Sequence, residues 1–192
     1  MPRTALTAAA VAAIAVAILA GLAYLSDTPS LRGSVIDPPL PAAEISLTDV
    51  QGRPFRLSGV QGNVALIYFG FTHCPDECPL TMANLKLAVD LLGSGADRTM
   101  VILVTTDPHR DTPEALREYL GRFNTAFLGL TGTPAQLATA WKDYGVTVMD
   151  GGETHSNYIY VIDTSGNLVE TFLPDAGPAD IAADIQTLLD EN

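Results

Sequence analysis

The chain has only two cysteines. They are separated by three residues in the stretch Phe69-Gly70-Phe71-Thr72-His73-Cys74-Pro75-Asp76-Glu77-Cys78-Pro79. The apolar run just before it, residues 64–69 (Val-Ala-Leu-Ile-Tyr-Phe), reads as a buried strand. After Pro79, Leu80, Leu85, Ala88, Val89 and Leu92 recur at a helical period. The thiols therefore stand where a strand stops and a helix starts, and residues four apart on a helix share a face. Two such sulfurs can close on each other or on one soft metal ion. A structural disulfide is geometrically possible, since Cα atoms four apart on a helix lie roughly 6 Å from each other. It would close so short a loop that it would stabilise little. Two unconnected thiols, packed as small hydrophobes, are the other plain alternative.

The elements that position this pair follow from the rest of the chain. Residues 45–47 and 55–57 flank Val50-Gln51-Gly52-Arg53 and read as a small hairpin with Gly52 in its turn. Residues 100–104 form a short apolar strand that runs into Thr105-Thr106-Asp107-Pro108. Thr112-Pro113-Glu114 is a helix start, with an N-cap hydroxyl, proline at the first position and an acid in the first turn. That helix is expected to reach about Phe123. A brief strand over 127–130 precedes Thr133-Pro134, which repeats the same chemistry, and Gly145 ends the second of these helices. Residues 157–162 and 168–172 flank Asp163-Thr164-Ser165-Gly166 as a hairpin, and Gly177-Pro178 opens a last helix running to Leu189. Strands alternating with helices and closing on an antiparallel pair predict an α/β fold: a thioredoxin-like mixed sheet with helices on both faces. The cysteine pair is expected on its first helix.

His155 is the third candidate. It lies in Gly151-Gly152-Glu153-Thr154-His155-Ser156, just before the strand over 157–162. In a thioredoxin-like sheet the loop before that strand lies beside the first helix, which brings His155 near Cys74 and Cys78. Two thiolates and one imidazole make a soft set that favours Cu(I) and tolerates Cu(II). Zinc normally takes a fourth ligand, and no other cysteine exists to supply it. A surface or core histidine with no ligand role is the plain alternative. His73 abuts Cys74, but neighbours on a turn usually point apart, so it reads as a residue beside the site rather than a ligand. His109, in the polar Asp107-Pro108-His109-Arg110-Asp111, reads as solvated. Asp76 and Glu77 oppose thiolate formation, against the helix N-terminus that favours it, and a bound cation would remove the conflict. They are equally at home as the solvated first turn of a helix.

The ends of the chain differ in character. Residues 5–25 carry no charge and are nearly all Ala, Val, Ile and Leu. That is about the length of a membrane-spanning helix, roughly 20 residues, and longer than a signal-peptide core of about 7–15. Ala20-Gly21-Leu22-Ala23 also offers small residues for signal-peptide cleavage. Arg3 and the α-amino group precede the run, which favours a cytoplasmic N-terminus. The expected division is a transmembrane anchor or signal segment over 1–25, a proline-containing extended linker over 26–43, and one domain over 44–192. Formal net charge is −12, and all 22 acidic residues follow Arg3. A field of that sign argues against nucleic acid as a partner.

Residues 40–190 resemble the Sco/SenC family of membrane-anchored, thioredoxin-fold copper proteins that help metallate the CuA centre of cytochrome c oxidase. The likeness rests on Tyr68-Phe69-Gly70-Phe71-Thr72-His73-Cys74-Pro75-Asp76-Glu77-Cys78-Pro79, on Thr106-Asp107-Pro108-His109-Arg110-Asp111-Thr112-Pro113, on Gly129-Leu130-Thr131-Gly132, and on the histidine before Tyr158-Ile159-Tyr160-Val161-Ile162. It implies copper, as Cu(I) and Cu(II), held by Cys74, Cys78 and His155, with Asp107 in a loop near the site. It also implies a domain facing the periplasm from a single pass through the inner membrane. The implied partners are the oxidase subunit carrying CuA and a copper donor or thiol reductant protein. Many relatives carry an acid just before the ligand histidine, where this chain has Thr154; Glu153 or Asp150 could stand in for it. Two functions suit the fold. One is a copper-binding assembly factor without turnover; the other is a thiol-disulfide oxidoreductase acting through Cys74 and Cys78. A peroxidase fits less well, because acids rather than cations flank the cysteines.

Overall fold

The computed structural model describes residues 13–16, 18, 31–152 and 154–191. The chain divides into two compact units, Met1–Ser30 and Leu31–Asn192. In the first, residues 13–16 and 18 are helical, with Ile14, Val16 and Ile18 exposed. Most of the apolar run over 5–25 lies outside the described residues. Among those described, no helix is long and apolar enough to cross a membrane.

The second unit is an eight-stranded mixed sheet with helices on both faces, as the alternating pattern predicts. Its strands are β1 (Ser34–Pro41), β2 (Ser46–Asp49), β3 (Pro54–Arg56), β4 (Val64–Gly70), β5 (Thr99–Thr105), β6 (Leu128–Thr131), β9 (Ile159–Ile162) and β10 (Asn167–Phe172). They lie in the order β1-β10-β9-β4-β5-β6-β2-β3. A separate two-stranded ribbon pairs β7 (Val148–Met149) with β8 (Thr154–His155). The helices are α1 (Glu77–Leu91), α2 (Pro113–Gly121), α3 (Pro134–Asp143) and α4 (Pro178–Asp190).

β4 is the centre of this arrangement. It runs parallel to β5 and antiparallel to β9, and all seven of its residues are buried. Strand side chains alternate between faces. Val64, Leu66 and Tyr68 join a core shared with α1, α2 and α4, while Ala65, Ile67 and Phe69 join a second core with α3. A strand covered on both faces is a continuous apolar run for this reason.

The helix starts agree with their sequence signals. Thr112 accepts from the Ala115 amide. Thr133 and Gln136 form a reciprocal capping box. The turns at Gly52 and Gly166 both adopt positive φ, as their hairpins require.

Two expectations are corrected. Within the expected linker over 26–43, Ser34–Pro41 forms an edge strand paired antiparallel with β10 rather than a free spacer. Proline obscured it: an edge strand tolerates Pro38, Pro39 and Pro41 because it need not donate on its outer side. The register also shifts between Val35 and Leu40, which breaks the two-residue alternation of a regular strand. The second correction concerns the cysteines. Cys78 lies in the first turn of α1, but Cys74 sits in the turn before it. Pro75 accounts for this, since the residue preceding a proline is pushed out of the helical region.

Candidate metal centre

The cysteine loop leaves the C-terminal end of the central strand β4, and α1 carries the chain away from it. Both cysteines are free: Cys74 is half-buried and Cys78 is buried. The Cys78 amide donates to Cys74 Sγ at 3.4 Å, and the Tyr68 hydroxyl donates to Cys78 Sγ at 3.5 Å. Gly70 closes the pocket around that sulfur. A Cβ there would come within 2.7 Å of the Tyr68 ring and 3.1 Å of Cys78 Sγ, so a side chain would press directly on the thiol.

The two thiols are chemically unequal. Burial pushes the Cys78 pKa up to about 12, while the Phe71 backbone and the Tyr68 hydroxyl act in the opposite direction. Cys78 is therefore a neutral thiol at pH 7, and a cation that takes its sulfur must displace the proton. Glu77 is not a loose charge beside it. Its carboxylate accepts from Asn157 Nδ2 at 2.9 Å, which ties the first turn of α1 to the segment that follows His155.

His155 belongs to β8, opposite Val148, and is half-buried. Its ring meets Phe71 edge-to-face, with centroids 5.8 Å apart. Because Phe71 lies in the cysteine loop, the histidine is brought beside that loop, as the topology predicts. Its Nδ1 is 2.9 Å from the Ser156 carbonyl oxygen. A carbonyl only accepts, so Nδ1 carries the hydrogen and Nε2 keeps a free lone pair. Cys74, Cys78 and His155 thus occupy adjoining segments without closing around one point. Among the described residues, no three His, Cys, Asp or Glu side chains are grouped closely enough to hold a metal ion.

His73 is turned elsewhere. The Thr72 hydroxyl donates to Asp111 Oδ1 at 2.6 Å, so it accepts from His73 Nδ1 at 2.9 Å. Asp111 is buried and also accepts from the Thr72 amide and the Thr105 hydroxyl, anchoring the cysteine loop to the end of β5. His109 is exposed. Asp107 is buried and ion-paired with Arg110, whose guanidinium lies over the Phe71 ring at 5.7 Å. Sequence reasoning missed three supporting residues: Tyr68, Phe71 and Asp111. Only Asp111 left a signal, as an acid just before the Thr112 cap. Thr154 donates to Asp150 Oδ2 at 3.1 Å, so that carboxylate is engaged within the ribbon, while Glu153 lies outside the described residues.

The donor set suits a soft cation. Two sulfurs and a neutral imidazole match Cu(I), and the imidazole extends the match to Cu(II). The Phe71–His155 contact and the Glu77–Asn157 bond hold the cysteine loop and the histidine segment beside each other.

Comparison with known proteins gives the family and the fold. The sequence pattern of the SCO1/SenC family matches residues 37–190. An SCO2-like protein of Rickettsia felis is 34% identical over 147 residues, covering 72% of each chain. The structure of Bradyrhizobium japonicum ScoI with copper bound superposes with a TM-score of 0.69 at 32% identity, covering 77% of this chain and 99% of that one. The apo Sco1 protein of Thermus thermophilus gives a TM-score of 0.75 at 36% identity, covering 83% and 98%.

Proposed function

The chain belongs to the SCO1/SenC family, and on that premise we propose that it binds copper through Cys74, Cys78 and His155. We further propose that it delivers this copper to, or prepares, the CuA site of a cytochrome c oxidase subunit. The observation that carries the reading is the cysteine pair itself, a half-buried Cys74 over a buried Cys78, with the free Nε2 of His155 on the adjoining segment. The copper-bound ScoI structure supports the choice of metal.

Copper is cargo in this reading. Cys74, the more accessible sulfur, meets it first. Cys78 then gives up its proton, and His155 completes the set, with most effect on Cu(II) because Cu(II) depends more on imidazole. Loading therefore releases protons and weakens as pH falls. A membrane anchor over residues 5–25, with the domain on the periplasmic side, belongs to the same proposal.

The inequality of the thiols also suits a second reading. An accessible thiol above a buried one is the arrangement of an attacking and a resolving cysteine, and a thiol-disulfide oxidoreductase would use it. The test starts from full-length protein extracted with detergent from washed membranes, its presence there being the check on the anchor. Reduced and oxidised protein are titrated with Cu(I) against a competing chelator, with free thiols counted by alkylation and mass. Reduced protein should take one Cu(I) and oxidised protein little. Cys74→Ala and Cys78→Ala should each abolish tight binding. Equal uptake by both redox forms would refute the copper reading, and steady reduction of a disulfide substrate without retained copper would favour the second.

A further inference from the structure

The loop after β5 reaches the candidate ligand histidine through the ring of Phe71. Asp107 is buried. It accepts from the Arg110 guanidinium through Nε and from the Arg110 amide at 3.3 Å. The guanidinium so fixed lies 5.7 Å from the centroid of Phe71. Phe71 is itself buried, in the same core as Cys78, and its ring stands at 85° to the His155 imidazole at 5.8 Å. Asp107, Arg110, Phe71 and His155 thus form a continuous stack.

The same loop also grips the ribbon that carries the histidine. The Thr106 hydroxyl donates to the Gly152 carbonyl at 3.1 Å. Gly152 adopts φ +108, and a Cβ there would sit 2.2 Å from the Thr106 carbonyl oxygen and 2.9 Å from the Asp107 Cβ. Only glycine permits so close an approach of the two backbones. The loop over 105–110 therefore constrains His155 twice, through its backbone at Gly152 and through its ring at Phe71.

We propose that Arg110 and Asp107 are positioning residues for His155, acting through Phe71 to fix the direction of the imidazole Nε2. A cation over an aromatic face holds that face in place, and a ring perpendicular to the imidazole limits its rotation. The hydrogen bond from Nδ1 to Ser156 sets the tautomer but does not by itself fix both side-chain torsions of His155. The Phe71 edge-to-face contact is what removes this freedom. The inference rests on the copper reading for its metal readout and stands apart from it for its metal-free readout.

The experiment compares full-length parent, Arg110→Gln, Arg110→Lys and His155→Ala. In the copper-free reduced protein, the His155 ring proton resonances report the Phe71 ring current. Arg110→Gln should move them, and Arg110→Lys, which keeps a cation, should restore part of the shift. In the copper-loaded protein, Arg110→Gln should lower Cu(II) affinity about fivefold, the scale of one cation–aromatic contact. Cu(I) affinity should change less than twofold, because the thiolates dominate it. Unchanged His155 resonances in Arg110→Gln would overturn the inference, as would equal loss of Cu(I) and Cu(II) affinity, which would mark Arg110 as merely structural. If His155→Ala binds Cu(II) as the parent does, the ligand reading fails instead, and the resonance shifts in the metal-free protein still decide whether Arg110 positions the ring.

Discussion

Glu170 is the group whose titration the stability of this fold should report. It lies on β10, fully buried, with its carboxyl group against the Gly33 backbone and the Asp184 carboxyl. Across from it is the fully buried Asp184 of α4, which accepts from the Gly33 amide at 3.1 Å and from Arg32 Nη1 at 2.9 Å. Asp180 on the same helix is 3.4 Å from Arg32 Nε, so the local charges are three carboxyls and one guanidinium. Burial first, and the Asp184 carboxylate second, push the Glu170 pKa from 4.5 up to about 8. A shift of that size corresponds to at most about 5 kcal/mol, since one pKa unit is about 1.4 kcal/mol. The sign follows from which state holds the proton. Below about pH 4.5 both states are protonated and the full stability is present. As pH rises towards 8 the unfolded chain ionises while the folded one keeps its proton, so stability falls, and above 8 the loss is complete. Between pH 5 and 7 this one group should cost about 2–3 kcal/mol. Glu170→Gln removes the titration and gives Asp184 an amide donor. It should leave stability at pH 5 nearly unchanged and raise it by about 2–3 kcal/mol at pH 7.5. Equilibrium urea unfolding at pH 5 to 8, followed by the fluorescence of the single tryptophan, Trp141, measures both. A parent whose stability is flat across that range, or a variant that falls as steeply as the parent, would refute the reasoning.

Two further outcomes follow from contacts at the site. Gly152→Ala should cost about 2–4 kcal/mol by the same unfolding assay, because it forces a side chain into a positive-φ position against the Thr106 carbonyl; a loss below about 0.5 kcal/mol would mean that the ribbon simply lifts away. Tyr68→Phe removes the hydroxyl that lowers the Cys78 pKa, so Cys78 should be alkylated more slowly at pH 9, with stability changed by no more than about 1.5 kcal/mol. Unaltered or faster alkylation would show that the hydroxyl does not reach the sulfur.

Much of the fold was legible in the sequence because it depended on local chemistry. The run over 64–69 is apolar throughout because β4 is covered on both faces, and Thr112-Pro113 and Thr133-Pro134 are helix starts because their hydroxyls reach amides three residues on. β1 was not legible, since what makes it a strand is β10, some 130 residues away, and its prolines point the other way. The ribbon carrying His155 has two residues in each strand, too few for any period to show.

The cysteine pair was legible as chemistry and only partly as geometry. Spacing alone placed both thiols on one helical face and made them equivalent. Pro75 separates them, leaving Cys74 in a turn and Cys78 under Tyr68 and Gly70, and that displacement creates the inequality on which both functional readings depend. Asp76 and Glu77 looked like a charge conflict with the thiols. In the folded chain Glu77 is held by Asn157, so part of that charge joins the cysteine loop to the histidine segment. Sequence order lists residues by position along the chain. Here a proline separates the thiols locally, while the bond between the Glu77 carboxylate and the Asn157 amide, 80 residues away, exists only once the cysteine loop and the histidine segment meet in the folded chain.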